Sequence, residues 1–440
     1  MDASIREFPL PEAFVQRARE QLKDELPAFL KEINQSPVRG LRKNPYRNQE
    51  NISYSDLIRK IPWEEYGWEL SPESNAGTTI AHEAGAFYLQ EPAAMLPAVV
   101  MDPKPGESIL DLCAAPGGKS TQMGLRMKGE GLLISNDPIP ARAAILSRNL
   151  ERMGVPNSIV TCAYPQSLTD RWADSFDGVL VDAPCSGEGM FRRLPESRAE
   201  WTMEKAAGCA ARQREILFSA ARMVRPGGRL VYSTCTWNPA ENEEQIGTFL
   251  KHFPEFEPEP FLLPGISAPE GYYTCWPHRI QGEGQFAALL RRKGETERTI
   301  PEGKGEFRMD KDSFRIWKES GIRTVQPNVK YGNILAWLPF VPELTGIRIF
   351  RLGLHLGQIR GKNFFPDHAA AIGIIRPEMD ETVLSDSNAL AWFTGDTIPG
   401  NAAGWTLMTW NGLVLGWGKG SGGTIRNHYP KGLRNGRLTV

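Results

Sequence analysis

The sequence predicts a multidomain α/β protein organised around a largely parallel sheet. Between residues 91 and 293, short apolar runs alternate with helical stretches, the pattern of strands joined by crossover helices. A length of 440 residues exceeds what one ordinary core accommodates. Residues 381–440 are rich in Gly, Trp and short β-type runs, as in "GWTLMTWNGLVLGWGKG", which predicts a small β-barrel or sandwich at the end of the chain.

In chain order, residues 1–90 form the first region. "EAFVQRAREQLKDELPAFLKEI" places Phe14, Val15, Ala18, Leu22 and Leu26 at helical spacing. The following "NQSPVRGLRKNPYRNQEN" is basic and turn-rich and predicts a solvated loop. In region 91–293, strands are expected at "SILDLCA", "GLLISND", "SIVTCA", "GVLVDAP", "GRLVYSTC" and "AALLRR". Helices are expected at "PARAAILSRNLERMG" and "EKAAGCAARQREILFSAARMV". Residues 294–312 are polar and glycine-bearing, as expected of a linker, and 313–380 predict a mixed α/β module.

Composition narrows the class. The chain is 41% hydrophobic and 23% charged, with a formal net charge of −1, so any nucleic-acid-binding surface must be local. No apolar run is long enough for a bilayer span. The opening "MDASIREFPLPEAFVQRARE" lacks the basic-then-apolar order of a secretory signal, which points to the cytoplasm. The six cysteines are scattered singly with no CxxC pair, so neither a metal site nor a disulfide framework is expected.

"SILDLCAAPGGKSTQMG" reads as a strand, a glycine turn and a helix start. It is not a triphosphate loop: Gly118, Lys119 and Ser120 fit that motif, but Cys113 stands where its first glycine belongs. The dinucleotide motif is also absent. Asp137, at the end of the next strand, sits at the position that holds ribose hydroxyls in nucleoside-binding α/β folds. A glycine turn with that acid suits S-adenosyl-L-methionine, with Lys119 pairing the methionyl carboxylate. A plain turn, with Asp137 capping a helix, is the competing reading.

Cys185 in "LVDAPCSGEG" and Cys235 in "LVYSTCTWNPAENEEQ" each follow a strand end, which directs both toward one crevice. Each is a buried structural thiol, a disulfide partner or a reactive group. After Cys235, Asn238 is an expected N-cap, Pro239 a first helical residue and Glu241 its reciprocal capping partner. A thiol beside S-adenosylmethionine suits one chemistry in particular. Carbon 5 of cytosine is a poor nucleophile until a thiolate adds to carbon 6. Such a reaction needs a nucleophilic Cys, a group at the ring N3 side and a group that assists elimination. Cys235, Asp182 and Cys185 are the candidates, and spacing leaves the two cysteines interchangeable.

Taken jointly, "LDLCAAPGGKSTQMG", "SNDPIPARAAILSRNLERMGV", "LVDAPCSGEGMFRR" and "LVYSTCTWNPAENEEQI" resemble the RsmF-type RNA (cytosine-5)-methyltransferases, relatives of the NSUN enzymes. "FYLQEPAAMLP" and "PHRIQGEGQFAALLRRK" flank the match, and "GWGKGSGGTIRNHYPKGLRN" resembles the PUA-like end of the bacterial members. The resemblance implies a Rossmann-like class I methyltransferase domain, an N-terminal α/β RNA-binding region and a C-terminal α+β module ending in a PUA-like β-barrel. It implies Cys235 as nucleophile and Cys185 as the group assisting product release. Cofactor contacts would come from Cys113, Ala114, Ala115, Pro116, Gly117, Gly118, Lys119, Asp137, Arg142 and Asp182. Where many relatives place Asp or Asn near the adenine, this chain has "CAYPQSL", so Tyr164 or the Ala163 backbone takes that place.

The implied substrate is structured RNA, 16S ribosomal RNA in the bacterial members, acted on by a monomer. Arg39, Arg42, Lys43, Arg47, Arg192, Arg193, Lys431 and Arg434 are the expected phosphate contacts. Tyr46, Tyr429 and His428 are the expected stacking partners for unpaired bases. Two other functions compete. One is a DNA cytosine methyltransferase with Cys185 as nucleophile, and the other a non-catalytic RNA-binding or ribosome-assembly factor.

Overall fold

The computed structural model describes residues 8–296, 300–303, 305 and 307–440. The first seven residues of the opening expected to lack a leader, and residues 297–299, 304 and 306 of the expected linker, lie outside the described residues.

Every strand expected between residues 91 and 293 is present, and together they form one sheet. Its parallel centre runs Val224–Thr234, Phe176–Asp182, Ser108–Asp111, Leu132–Asn136 and Ser158–Cys162. Gln285–Arg292 adds antiparallel to Val224–Thr234. The centre is covered on both faces, which is why its strands read as continuous apolar runs. Leu110, Ile134, Val179 and Leu230 point to the side packed by Ile216 and Leu217 of helix Met203–Met223. Ile109, Leu133, Leu180 and Val231 point to the other side, against Leu146 and Leu150 of helix Pro140–Arg152.

At the N-terminus, Phe14, Ala18, Leu22 and Leu26 are buried as the spacing predicts, while Val15 is half-buried. The helical stretch is broken into Glu12–Leu22 and Leu26–Glu32. Pro27 causes the break: it has no N–H to offer the Lys23 carbonyl, and its ring crowds that turn. The basic stretch expected to be a loop is instead a strand, Arg39–Lys43, with partners on both sides, Gly67–Leu70 and Phe87–Leu89. Its arginines and lysine hid the strand pattern.

Two further expectations change. Strand Arg348–Leu352, within the expected module 313–380, pairs antiparallel with Ser158–Cys162 and extends the central sheet. The module's own antiparallel sheet is Val329–Tyr331, Ile334–Trp337, Leu354–Arg360 and Asn363–Pro366. The expected linker is packed down, since Ile300 and Phe307 are buried in the central core.

The C-terminal unit is a curled five-stranded sheet: Glu381–Val383, Gly404–Trp410, Leu413–Ser421, Thr424–Asn427 and Ile398–Pro399. Its Trp410 and Tyr429 share a core with Leu41 and Phe87, so the two ends of the chain pack together. Among the described residues no helix is long and apolar enough to cross a membrane.

Candidate active site

The carboxyl ends of the parallel strands deliver the singled-out residues to one edge of the sheet. Strand Ser108–Asp111 lies between Leu132–Asn136 and Phe176–Asp182, the point where successive strands stop adding on one side of the sheet and start adding on the other, the arrangement that opens a ligand crevice. Its exit turn needs glycine at Gly117, where φ is +113° and an added Cβ would meet Leu146 Cδ1 at 3.0 Å. Helix Gly118–Arg126 starts there, and buried Arg42 braces its first turn by donating to Thr121 Oγ1 at 2.8 Å and to the Gly118 carbonyl at 3.2 Å.

Lys119 Nζ lies 2.7 Å from Asp182 Oδ2, joining the glycine turn to the neighbouring strand end. Burial works against the ammonium, but the Asp182 carboxylate outweighs it and holds the Lys119 pKa above its ordinary value. Gln285, which sequence reasoning missed, donates to Asp182 Oδ1 at 3.3 Å. Nothing local marks it, because it arrives on the antiparallel strand added beyond Val224–Thr234.

Asp137 is buried. Its Oδ1 accepts from the Ile139 N–H at 3.0 Å, and its Oδ2 lies 3.2 Å from Arg142 Nη2. The same guanidinium donates to the Ala115 carbonyl at 3.0 Å, so Arg142 links the acid to the glycine turn. Ala114, Ala115 and Gly117 are buried in that turn, and Pro116 is exposed. The Cys113 thiol is pushed up by burial and is a neutral group. Of the two alternatives near the adenine position, the Ala163 N–H and C=O are both taken by the Asn136 side chain, at 3.1 and 2.9 Å. Tyr164 is 71% exposed.

Asp111 also escaped the sequence reading, although an acid inside "SILDL" is the signal that marks it. It is fully buried and accepts from Ser120 Oγ at 2.6 Å, while its Oδ1 has no hydrogen-bond partner. Burial pushes its pKa up to about 7 from 3.8. A carboxyl raised in the folded state contributes stability below its unfolded pKa, and this is lost as pH rises through the folded value. Thermal melts of Asp111→Asn are therefore expected to show a shallower fall in Tm between pH 4 and 7 than the parent, whereas an unchanged slope would remove Asp111 from that dependence.

The two thiols meet. Asp182 and Ser233 are register partners in adjacent parallel strands, and the turns that follow bring Cys185 Sγ and Cys235 Sγ to 3.1 Å, both half-buried. The hydrogen bond with Cys235, followed by burial, pushes the Cys185 thiol up. The Gly189 N–H donates to the Cys235 carbonyl at 2.9 Å. A Cβ at Gly189 would stand 2.5 Å from the Gly284 carbonyl and 2.9 Å from that of Cys235. Gly189→Ala is accordingly expected to force the turns apart and reduce turnover by about a hundredfold, with cofactor affinity intact in titration calorimetry. Parent-like turnover would show that the turns absorb the methyl group.

The expected cap after Cys235 is present in modified form. Asn238 Oδ1 accepts from the Ala240 N–H at 3.2 Å over a single 3₁₀ turn, Pro239–Glu241, and the full helix begins at Glu243. Glu241 does not cap the Asn238 backbone. Its carboxylate is buried between the turns, accepting from the Ser186 N–H at 2.8 Å, Gln213 Nε2 at 2.9 Å and Asn238 Nδ2 at 3.3 Å.

Several expected RNA contacts face inward instead. Arg42 is committed to the glycine turn, Arg47 donates to the Ile372 carbonyl, and Arg192 donates to Glu283 Oε2 and the Gly282 carbonyl, both at 2.8 Å. Tyr429 is buried and donates to Glu83 at 3.1 Å. A buried polar or charged group persists only when paired or hydrogen-bonded, so these three arginines and Tyr429 hold the units together and present nothing to a phosphate or base. Arg39 donates to the Pro72 and Ser74 carbonyls, Lys43 covers the Tyr54 ring, Tyr46 donates to the Leu125 carbonyl and His428 packs on Trp405. Arg193, Lys431 and Arg434 are exposed.

Residues 98–291 match the model described as 16S rRNA methyltransferase RsmB/F. Residues 10–92, 318–374 and 381–435 match, in turn, the RsmF N-terminal domain, its first C-terminal domain and its PUA domain. The ribosomal RNA small subunit methyltransferase F of Escherichia coli O139:H28 (strain E24377A / ETEC) is 32% identical over 472 residues, covering 97% of each chain. The crystal structure of PH0851 is 32% identical, with a TM-score of 0.61 over 64% of this chain and 66% of that one. NSun6 from Pyrococcus horikoshii with SFG, at 20% identity, shares the fold with a TM-score of 0.56 over 65% of this chain and 99% of that one.

Proposed function

Because the chain belongs to the RsmB/F family of 16S rRNA methyltransferases, we propose that it methylates carbon 5 of cytidine in 16S ribosomal RNA through a covalent bond between Cys235 and carbon 6. It is an S-adenosylmethionine-dependent methyltransferase, and this reading has it act as a cytoplasmic monomer. The observation that carries the proposal is the pair of thiols 3.1 Å apart, one strand over from the Lys119–Asp182 pair. Methylating a nitrogen or oxygen needs no thiol, whereas an unactivated ring carbon does.

Bound S-adenosylmethionine supplies a methyl group on a sulfonium centre. The Gly117–Gly118 turn and Lys119 take its methionyl end, Asp137 and Arg142 its ribose side, and the exposed Tyr164 ring its adenine. The target cytosine leaves its stack to reach the thiols. Cys235 Sγ then bonds to carbon 6, and the electron pair of the 5,6 double bond shifts to carbon 5, which accepts the methyl group. N3 takes up the proton that the Cys235 thiol gives up, so no negative charge is left on the ring, and the Asp182 carboxylate, held by Lys119, hydrogen-bonds that N–H. Cys185 takes up the carbon 5 proton and passes its own to the departing Cys235 sulfur as the C6–S bond breaks, and N3 gives its proton back to solvent, which restores the aromatic ring and both thiols. Arg193, Lys431 and Arg434 are the remaining phosphate contacts of this reading.

Nucleoside mass spectrometry after incubation with matched RNA and DNA tests the reading. The expected product is 5-methylcytidine in RNA, and methyl groups on nitrogen, on oxygen or only in DNA would overturn it. At the cofactor site, Lys119→Met is expected to weaken S-adenosylhomocysteine binding by about ten- to a hundredfold in calorimetry, the size of a lost charged hydrogen bond. Unchanged affinity would detach Lys119 from the cofactor.

A further inference from the structure

One side chain joins the two thiol-bearing turns to a third element that lies far away in sequence. Glu188, three residues after Cys185, is fully buried. Its Oε1 accepts from Arg17 Nη2 at 2.6 Å, and its Oε2 accepts from the backbone N–H of Trp237, two residues after Cys235, at 3.2 Å. Arg17 belongs to the N-terminal helix Glu12–Leu22. Gln21, one helical turn further on the same face, donates to the Trp237 carbonyl at 3.0 Å. The peptide units on both sides of Trp237 are thus held, one by Glu188 and one by the helix itself.

The packing fixes the same geometry. The Trp237 ring stacks on Trp276 with centroids 5.5 Å apart, and Phe29 meets both edge-on at 5.2 and 5.3 Å. Phe14, on the Arg17 helix, packs edge-on against Phe191 at 5.2 Å, and Phe191 lies in the segment that continues from the Cys185 turn. The Arg17 guanidinium lies 5.5 Å from the Phe14 ring and 5.6 Å from that of Trp201, cation–π contacts that add to its bond with Glu188. An N-terminal helix that only gripped RNA would not need to commit an arginine to a buried carboxylate between two catalytic turns.

We propose that Arg17 and Glu188 are a positioning pair for methyl transfer, through which the N-terminal helix holds the Cys185 and Cys235 turns in reacting register. The proposal rests on the reading of those two thiols as the reacting pair. Neither Arg17 nor Glu188 touches the base; they act through the backbone of Trp237 and the turn of Glu188 itself. The N-terminal region therefore contributes to kcat, and not only to RNA affinity.

Arg17→Met removes the charge with little change of volume, and Arg17→Lys restores it. In the full-length enzyme, Arg17→Met is expected to lower kcat on RNA by about ten- to a hundredfold, the cost of a small misplacement of reacting groups. The KM for RNA and the affinity for S-adenosylhomocysteine are expected to stay within about twofold, and Arg17→Lys to recover at least half of the logarithmic loss. A loss carried entirely by KM, no loss at all, or a loss that merely follows the folded fraction in a thermal melt would overturn the proposal.

A second readout needs no RNA. Diamide takes two electrons and two protons from a pair of neighbouring thiols, leaving a disulfide and a hydrazine, and its rate follows how often the sulfurs meet. Arg17→Met is expected to slow formation of the Cys185–Cys235 disulfide at least severalfold, scored by peptide mass spectrometry; an unchanged rate would count against positioning. Should the parent enzyme make no 5-methylcytidine while diamide still distinguishes Arg17→Met, the covalent mechanism falls and the positioning of the turns stands.

Discussion

Cys235→Ala is expected to abolish formation of 5-methylcytidine, with a loss on the order of a million-fold, the size seen when a covalent nucleophile is removed from a well-arranged site. The cause is chemical. Without sulfur at carbon 6, the 5,6 double bond keeps its electron pair, and carbon 5 has none to offer the methyl group. The loss should leave the rest of the site standing. Lys119 pairs with Asp182, Arg142 pairs with Asp137 and donates to the Ala115 carbonyl of the glycine turn, and the Cys235 sulfur has Cys185 as its hydrogen-bond partner. Calorimetry should therefore find S-adenosylhomocysteine affinity within about twofold of the parent, while methyl transfer to RNA is lost. Substantial activity in Cys235→Ala would end the covalent mechanism.

The second large effect is of the opposite kind. Cys185→Ala is expected to trap the enzyme on its RNA as a complex that survives a denaturing gel. The Cys185 sulfur stands 3.1 Å from that of Cys235, close enough to serve the step in which carbon 5 loses its proton and the sulfur departs. Addition to carbon 6 does not require that help. Turnover should fall by roughly 10²–10⁴, the usual contribution of a positioned acid or base, while the adduct accumulates. The double variant Cys185→Ala/Cys235→Ala should form none. A Cys185→Ala enzyme that turns over slowly without a trapped complex would move Cys185 out of the release step.

The sheet was legible because its strands are buried on both faces, so their apolar runs are uninterrupted and end at turn residues. The same reading located Asp182, Cys185 and Cys235, since residues just past parallel strand ends share a crevice whatever the connecting helices do. It could not order the two thiols, because their turns occupy equivalent positions on adjacent strands. The resemblance of the "STCT" segment supplied that order.

What stayed hidden depends on partners distant in sequence. Arg39–Lys43 reads as a basic loop until Gly67–Leu70 and Phe87–Leu89 close on it from both sides. Arg42, Arg47 and Arg192 look like phosphate contacts because local sequence records their charge and not the carbonyls and carboxylate waiting for them. Glu241 reads as a helix cap by spacing, yet it bridges to Ser186 in the other thiol turn. Strand Arg348–Leu352 joins a sheet whose edge was laid down almost two hundred residues earlier, and no periodicity announces such a pairing.

The covalent bond itself is the most direct test. RNA carrying 5-fluorocytidine cannot lose a proton from carbon 5, so methyl transfer should leave the enzyme attached to its substrate. After nuclease and protease digestion, mass spectrometry of the complex is expected to find a methylated fluorocytidine on the peptide containing Cys235, and on no other. Attachment at Cys185, or methylated RNA released with no attachment at all, would contradict the account.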